Sequence, residues 1–180
     1  GCSGDVTAGK YNDGSKANRA LLAQRLHHGM EKSWKNTRRV PLESIEFRAA
    51  SLNLDFHEGD EMTAQALRER LEDRESSTRE RILAAMGLSS LQRVVAGQPI
   101  DVPCLDLGLA QIVLLPGEAF IGYQFMAQRM RPDALVMAIG YGECWPGYIP
   151  TRAAFEEDFD NVWRWTATGA EEQIRSTLQR

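Results

Sequence analysis

Histidine, cysteine and long apolar runs are all scarce in this chain, and each scarcity excludes something. The 180 residues include three histidines, His27, His28 and His57. A catalytic zinc site normally draws on several nitrogen, sulfur or oxygen donors and keeps one position open. His27 and His28 are neighbours on a helical stretch, so their side chains diverge by about 100° and cannot share one ion. His57 opens a His-Glu pair, but position 61 is Glu and no HExxH motif follows. It reads as a solvated loop residue. Cys2, Cys104 and Cys144 form no CxxC pair, which excludes a local zinc knuckle. They read as buried free thiols, with one disulfide plus a free thiol as the alternative.

No stretch approaches the ~18 to 20 apolar residues of a membrane span; runs such as Ile112 to Leu115 have strand length. Net charge is small too, since 21 basic and 25 acidic residues leave -4. That balance argues against nucleic acid as a partner and against an anionic membrane gripped by a bulk basic surface. No Walker loop, GxSxG elbow or correctly spaced GxGxxG is present. The first residues, Gly-Cys-Ser-Gly-Asp-Val, show neither Met nor signal peptide. They read like the middle of a domain, opened at a boundary or by processing.

Hydrophobic residues at 43% and charged residues at 26% suit one globular unit over residues 1–180. A chain of this size buries roughly 70% of its unfolded surface without staples. Residues 1–14, with Gly1, Gly4, Gly9 and Gly14, form a loop. Ser15 caps a helix whose apolar positions Leu22, Leu26, Met30 and Trp34 recur every four residues. Ile45, Phe47 and Ala49 alternate as in a half-buried strand; Leu52, Leu54 and Phe56 do so one residue out of phase, which predicts a bulge or break near Ala50 and Ser51. Thr63 caps a charged helix to about Arg74, and Ser77 with Glu80 forms a capping box for a helix that stops at Gly87. A short helix from Ser90 to Ala96 follows.

Beyond Pro99, two strands, Ile100–Leu107 and Gln111–Leu115, meet at a tight turn around Gly108. Pro116-Gly117 ends the second strand, and a helix to about Met130 starts almost at once. Leu135–Ile139 reads as a buried strand, and residues 140–147 as a glycine- and aromatic-rich loop. Thr151 caps a short helix, and a Thr168–Glu171 capping box opens the terminal one. Strands interleaved with helices define an α/β fold, a mixed β-sheet with flanking helices.

Two strand-to-loop transitions carry site-like chemistry. In Leu115-Pro116-Gly117-Glu118 the sharp turn places Glu118 in the first turn of the following helix, where the dipole and free N–H groups keep a carboxylate ionised and able to ligate a cation. The structural alternative is an ordinary first-turn glutamate. In residues 140–151 a loop follows a strand, the position where open α/β sheets place ligands. Tyr148, between Gly147 and Ile149, can present its hydroxyl to a metal or a substrate oxygen, or pack with that hydroxyl bonded to backbone.

Gly4-Asp5-Val6, Leu115-Pro116-Gly117-Glu118 and Gly147-Tyr148-Ile149-Pro150-Thr151 stand in an order that resembles the neutral, non-lysosomal ceramidases, above all the shorter ceramidase-like proteins of environmental bacteria. The resemblance covers nearly the whole chain. It implies the C-terminal half of a catalytic domain that hydrolyses an amide, with ceramide as the type substrate and lipid-like or other N-acyl amides as the wider class. It implies zinc held by two histidines, a glutamate and a tyrosine. Glu118 matches the glutamate and Tyr148 the tyrosine, which also serves catalysis; Gly4 and Asp5 match a loop at the substrate. The two histidines belong to an N-terminal half that this chain lacks, so the zinc site is incomplete here. An extracellular or periplasmic setting follows from the same likeness. The alternative is a non-catalytic binding or scaffold module that keeps the fold. Half a domain exposes surface that its other half covers, so self-association is expected as well.

Overall fold

In the computed structural model, residues 1–180 are described, with every side chain except those of Ala8 and Lys10. The chain runs α1 (Lys16–Lys35), β1 (Glu46–Leu52), α2 (Ala64–Glu72), α3 (Thr78–Val95), β2 (Ile100–Asp106) and β3 (Ala110–Leu114). It continues through β4 (Glu118–Ala119), α4 (Ile121–Met130), β5 (Leu135–Ile139), β6 (Tyr148–Ile149), α5 (Arg152–Glu156) and α6 (Ala170–Leu178). The α/β class read from the sequence is the class observed.

Period-two alternation builds a four-stranded mixed sheet in the order β1-β2-β3-β5. β1 pairs antiparallel with β2, from Glu46 opposite Asp106 to Leu52 opposite Ile100. The β2–β3 hairpin closes at Gly108, whose φ of 75° suits glycine and whose N–H donates to Asp106 Oδ1 at 2.8 Å. β3 and β5 run parallel, so a crossover must join them, and α4 supplies it. α4 and α6 pack on one face of the sheet. The core between them holds Leu52, Ile100, Val102, Val113, Val136 and Ala138 from the strands, with Tyr123, Met126, Ala127 and Ile174 from the helices. The Tyr123 hydroxyl donates to Pro150 O at 2.7 Å, and burial raises its pKa far above the ordinary phenol value.

Several local expectations need correction. β1 runs unbroken through Ala50 and Ser51. The phase slip arises because Phe47 points to one face of the sheet and Leu52 to the other, so apolar residues occur in both phases. Gly87 does not stop a helix: it lies buried inside α3. A Cβ there would stand 3.1 Å from Trp165 and 3.2 Å from Leu67, so the missing side chain is what lets α3 approach α2. β5 is buried on one face only, with Leu135, Met137 and Ile139 exposed. The Thr168 box does not form; α6 begins after Gly169 without a side-chain cap. α1 and its Ser15 cap appear where the sequence puts them, but the helix buries no residue.

Candidate functional site

Glu118 and Tyr148 are brought side by side. β4 and β6 form a separate two-stranded parallel ladder in which Glu118 is the register partner of Tyr148, and Ala119 of Ile149. Register partners in a ladder project to the same side. Glu118 N–H donates to Gly147 O at 2.8 Å, Phe120 N–H to Ile149 O at 3.2 Å, and Tyr148 N–H to Trp163 O at 3.0 Å. Glu118 therefore belongs to a strand three residues before α4, not to the helix's first turn. The Leu-Pro-Gly turn re-aims the chain into a second ladder before the helix can start.

Close backbone packing makes this ladder possible. Gly147 has φ 63°, and a Cβ on it would fall 1.7 Å from Trp163 O. Gly4 lies flat against the other strand: its N–H donates to Ala119 O at 3.1 Å, and a Cβ would stand 2.2 Å from Glu118 O. Asp5 follows, and its Oδ1 accepts from Ile121 N–H at 2.7 Å. Phe120, the residue before α4, offers no side-chain cap. A carboxylate from 116 positions away in sequence thus does the capping. The helix-dipole logic expected of Glu118 is realised by Asp5.

The electrostatics link the two candidate ligands. The Tyr148 phenol is held above its ordinary pKa, first by partial burial, then by the negative charge of Glu118 and a hydrogen bond to that carboxylate, and last by Tyr141. At neutral pH the phenol keeps its proton, with the Glu118 carboxylate as its ladder neighbour. Among the described residues no Lys, Arg or His forms an ion pair with Glu118. Tyr141, between two glycines and at φ 65°, faces Ser3 with 3.4 Å between the hydroxyl oxygens. Phe159 packs edge-on against both Phe120, with ring centres 5.0 Å apart, and Tyr148, at 6.1 Å. Asp5, Phe120, Thr151, Glu157 and Phe159 line a groove of about 510 Å³ just past the strand ends, and neither Glu118 nor Tyr148 lines it. A second cavity, of about 490 Å³, lies under the sheet near Cys104, Gln111 and Arg131 and shares no residue with the ladder.

α3 braces the loop from outside: Ser90 Oγ, whose proton goes to Met86 O at 2.8 Å, lies 3.2 Å from Trp145 O, and Arg93 pairs with Glu143. His57 is not a solvated loop residue. Its N–H donates to Trp165 O at 2.8 Å, and its Nε2 lies 2.9 Å from Nη2 of the buried Arg164. Burial, followed by the Arg164 charge, lowers the His57 pKa, so the ring is neutral and Nε2 accepts. None of Cys2, Cys104 and Cys144 is in a disulfide; Cys2 is buried as read, whereas Cys144 is exposed. Sequence reasoning missed Tyr141, Phe159 and Arg164. For Tyr141 a signal existed in its Gly-Tyr-Gly context, which favours a special backbone.

Glu118 and Tyr148 offer two oxygen donors, and a structural or catalytic zinc uses three or four protein ligands. His27 and His28 lie on exposed α1, and His57 is engaged by Arg164. Among the described residues no group of three His, Cys, Asp or Glu is placed to hold a metal ion. The chain alone does not make a closed zinc site. Nor, among the described residues, is any helix long and apolar enough to cross a membrane.

No protein-family description and no curated protein matches the chain. Among solved structures, the neutral ceramidase from Pseudomonas aeruginosa superposes with a TM-score of 0.56 at 9% identity, over 97% of this chain and 34% of that one. A ceramidase complexed with C2 gives the same TM-score and identity, over 90% of this chain and 33% of that one. The fold is therefore ceramidase-like, and the chain spans about a third of the length of those ceramidases.

Proposed function

We propose that this chain is the C-terminal half of the catalytic domain of a ceramidase-like zinc amidohydrolase acting on N-acyl, lipid-like amides. The observation that carries the reading is the register pairing of Glu118 with Tyr148 across the β4–β6 ladder. Glu118 and Tyr148 would supply two of the protein ligands to zinc, and two histidines from outside residues 1–180 would complete the set. Zinc, when bound, polarises the amide carbonyl and acidifies its water. The protonated Tyr148 phenol is placed to hydrogen-bond an oxygen arriving at the ladder. Gly4 and Asp5 form the wall that meets the substrate, and the Phe120–Phe159 pair supplies apolar surface for an acyl chain.

Cobalt, a spectroscopic substitute for zinc, tests the half-site. Titrating it into the 180-residue chain perturbs the near-ultraviolet absorption of Tyr148, and added imidazole, standing in for the absent histidines, tightens the binding. Glu118→Gln and Tyr148→Phe each abolish the signal. A cobalt spectrum indifferent to both substitutions contradicts the reading. The second reading, a non-catalytic binding module on the same fold, draws on the presence of two donors where a zinc enzyme needs four. It predicts no metal dependence of any ligand bound in the groove.

A further inference from the structure

We propose that the cavity between the four-stranded sheet and the ends of α4 and α6 binds an unbranched aliphatic carboxylate, tail inward and head group at an arginine rim. The proposal does not rest on the zinc reading: the cavity shares no residue with the Glu118–Tyr148 ladder. Its volume of about 490 Å³ is that of a small-ligand site. Each strand gives one residue to an apolar floor: Ala50 from β1, Val102 from β2, Val113 from β3 and Val136 from β5. The three valines are buried, so the cavity reaches the core. Ala127 of α4 and Leu178 of α6 close the sides. Alanine at positions 50 and 127 leaves open the space that larger side chains would fill. Cys104 lies on the same wall, and burial raises its thiol pKa, as an apolar setting does.

The rim has the opposite character. Arg48, Arg131 and Arg180 line it, and no Asp or Glu does. Two carboxylates stand behind the first two arginines. Asp106 Oδ2 lies 2.9 Å from Arg48 Nη2 and 3.8 Å from Arg131 Nη1, and Asp133 Oδ1 lies 3.2 Å from Arg131 Nε. Asp106 accepts from Gln111 Nε2 and Gly108 N–H as well, so its lone pairs are largely taken. Arg180 has no carboxylate partner among the described residues; its contacts are Ser176 O and Thr177 Oγ1, both at the long distance of 3.5 Å. An uncompensated guanidinium beside an apolar cavity matches an anion that carries a hydrocarbon tail.

Other occupants match less well. A peptide segment brings an N–H and a C=O with every residue, and a floor of alanine and valine side chains offers neither acceptor nor donor. An aliphatic tail makes no such demand. An amine or a metal cation meets guanidinium groups at the entrance.

Decanoate below its micelle concentration is the probe, and the 180-residue chain with Cys144→Ser is the protein, so that half-buried Cys104 is the accessible thiol. The expected result is saturable protection of Cys104 from iodoacetamide, with the affinity read by calorimetry. Arg180→Gln weakens binding about tenfold, as loss of a charge-assisted hydrogen bond does, and Arg180→Lys restores most of it. Ala50→Met, which fills the floor, abolishes it. Butyrate and decanol, each lacking one half of the match, bind at least about tenfold more weakly; each buried CH2 alone is worth about fourfold. Glu118→Gln, which breaks the proposed zinc half-site, leaves decanoate affinity unchanged, so the two readings fail separately. Absence of saturable protection overturns the proposal. Equal affinity for decanoate and decanol overturns the arginine rim as a head-group site. Decyl phosphate bound tenfold more tightly than decanoate assigns that rim to a phosphate and overturns the carboxylate. An affinity indifferent to both Arg180→Gln and Ala50→Met places decanoate elsewhere and overturns the cavity assignment.

Discussion

The strand ends around β4 and β6 and the arm formed by residues 16–47 both carry apolar side chains, but only the strand ends bury theirs. Leu115 and Ile149 are fully buried, with Pro116, Pro146 and Pro150 packed around them. Leu26, Met30, Trp34 and Phe47 keep more than half of their surface in water. Periodicity decides which element forms; whether the element is covered depends on what the rest of the molecule brings to it. The ladder of β4 and β6 draws residues 1–5, 115–123 and 141–166 onto one point, whereas α1 meets little more than its own loop.

Substitutions should separate the two regions most sharply in stability. Leu115→Ala is expected to cost about 3 kcal/mol or more through the cavity it leaves. Leu26→Ala in the monomer should change stability by no more than about 0.5 kcal/mol. Urea unfolding of both variants under dilute conditions checks the contrast, and equal losses would break it. A smaller effect is expected at the seam. Asp5→Ala removes the cap from α4 and should cost about 1 kcal/mol, with faster hydrogen exchange at Ile121 and no change in α1.

The pH dependence is smaller still and centres on the His57–Arg164 contact, away from α1. The folded protein holds His57 neutral, below its ordinary pKa. Where the unfolded chain is protonated and the folded chain is not, protons favour unfolding. This contribution is complete above about pH 6.5, is lost progressively as pH falls toward the lowered folded pKa, and levels off below it. His57→Gln should flatten that part of the stability profile. An unchanged slope would show that the His57–Arg164 contact is not what couples folding to protons.

Much of this molecule was legible in the sequence because local chemistry decided it. The α1 start at Ser15, the α2 start at Thr63, the Ser77–Glu80 capping box, the Gly108 turn and the strand–turn at Pro116-Gly117 all follow from caps and backbone preferences within a few residues. The errors arose where distant packing overrode a local signal. Gly87 reads as a stop until Trp165 and Leu67 are seen to need its empty side. Glu118 reads as a helix residue until Gly147 O claims its N–H, and the cap that α4 needs comes from Asp5. His57 reads as solvated because its partner Arg164 lies 107 positions away. The Glu118–Tyr148 candidate pair came from a resemblance of motifs; their adjacency across a parallel ladder is not readable from spacing alone.

The most direct test of the account is the titration of Tyr148 in the presence and absence of the Glu118 charge. With 13C-labelled tyrosine, NMR follows each phenol, and Tyr148→Phe assigns the signal. The account predicts that Tyr148 titrates above the ordinary value of about 10 and moves back toward it in Glu118→Gln, as the carboxylate's charge is removed. A Tyr148 phenol that titrates identically in both proteins would mean that the two side chains do not share a site, and the proposed half-shell for zinc would fall with it.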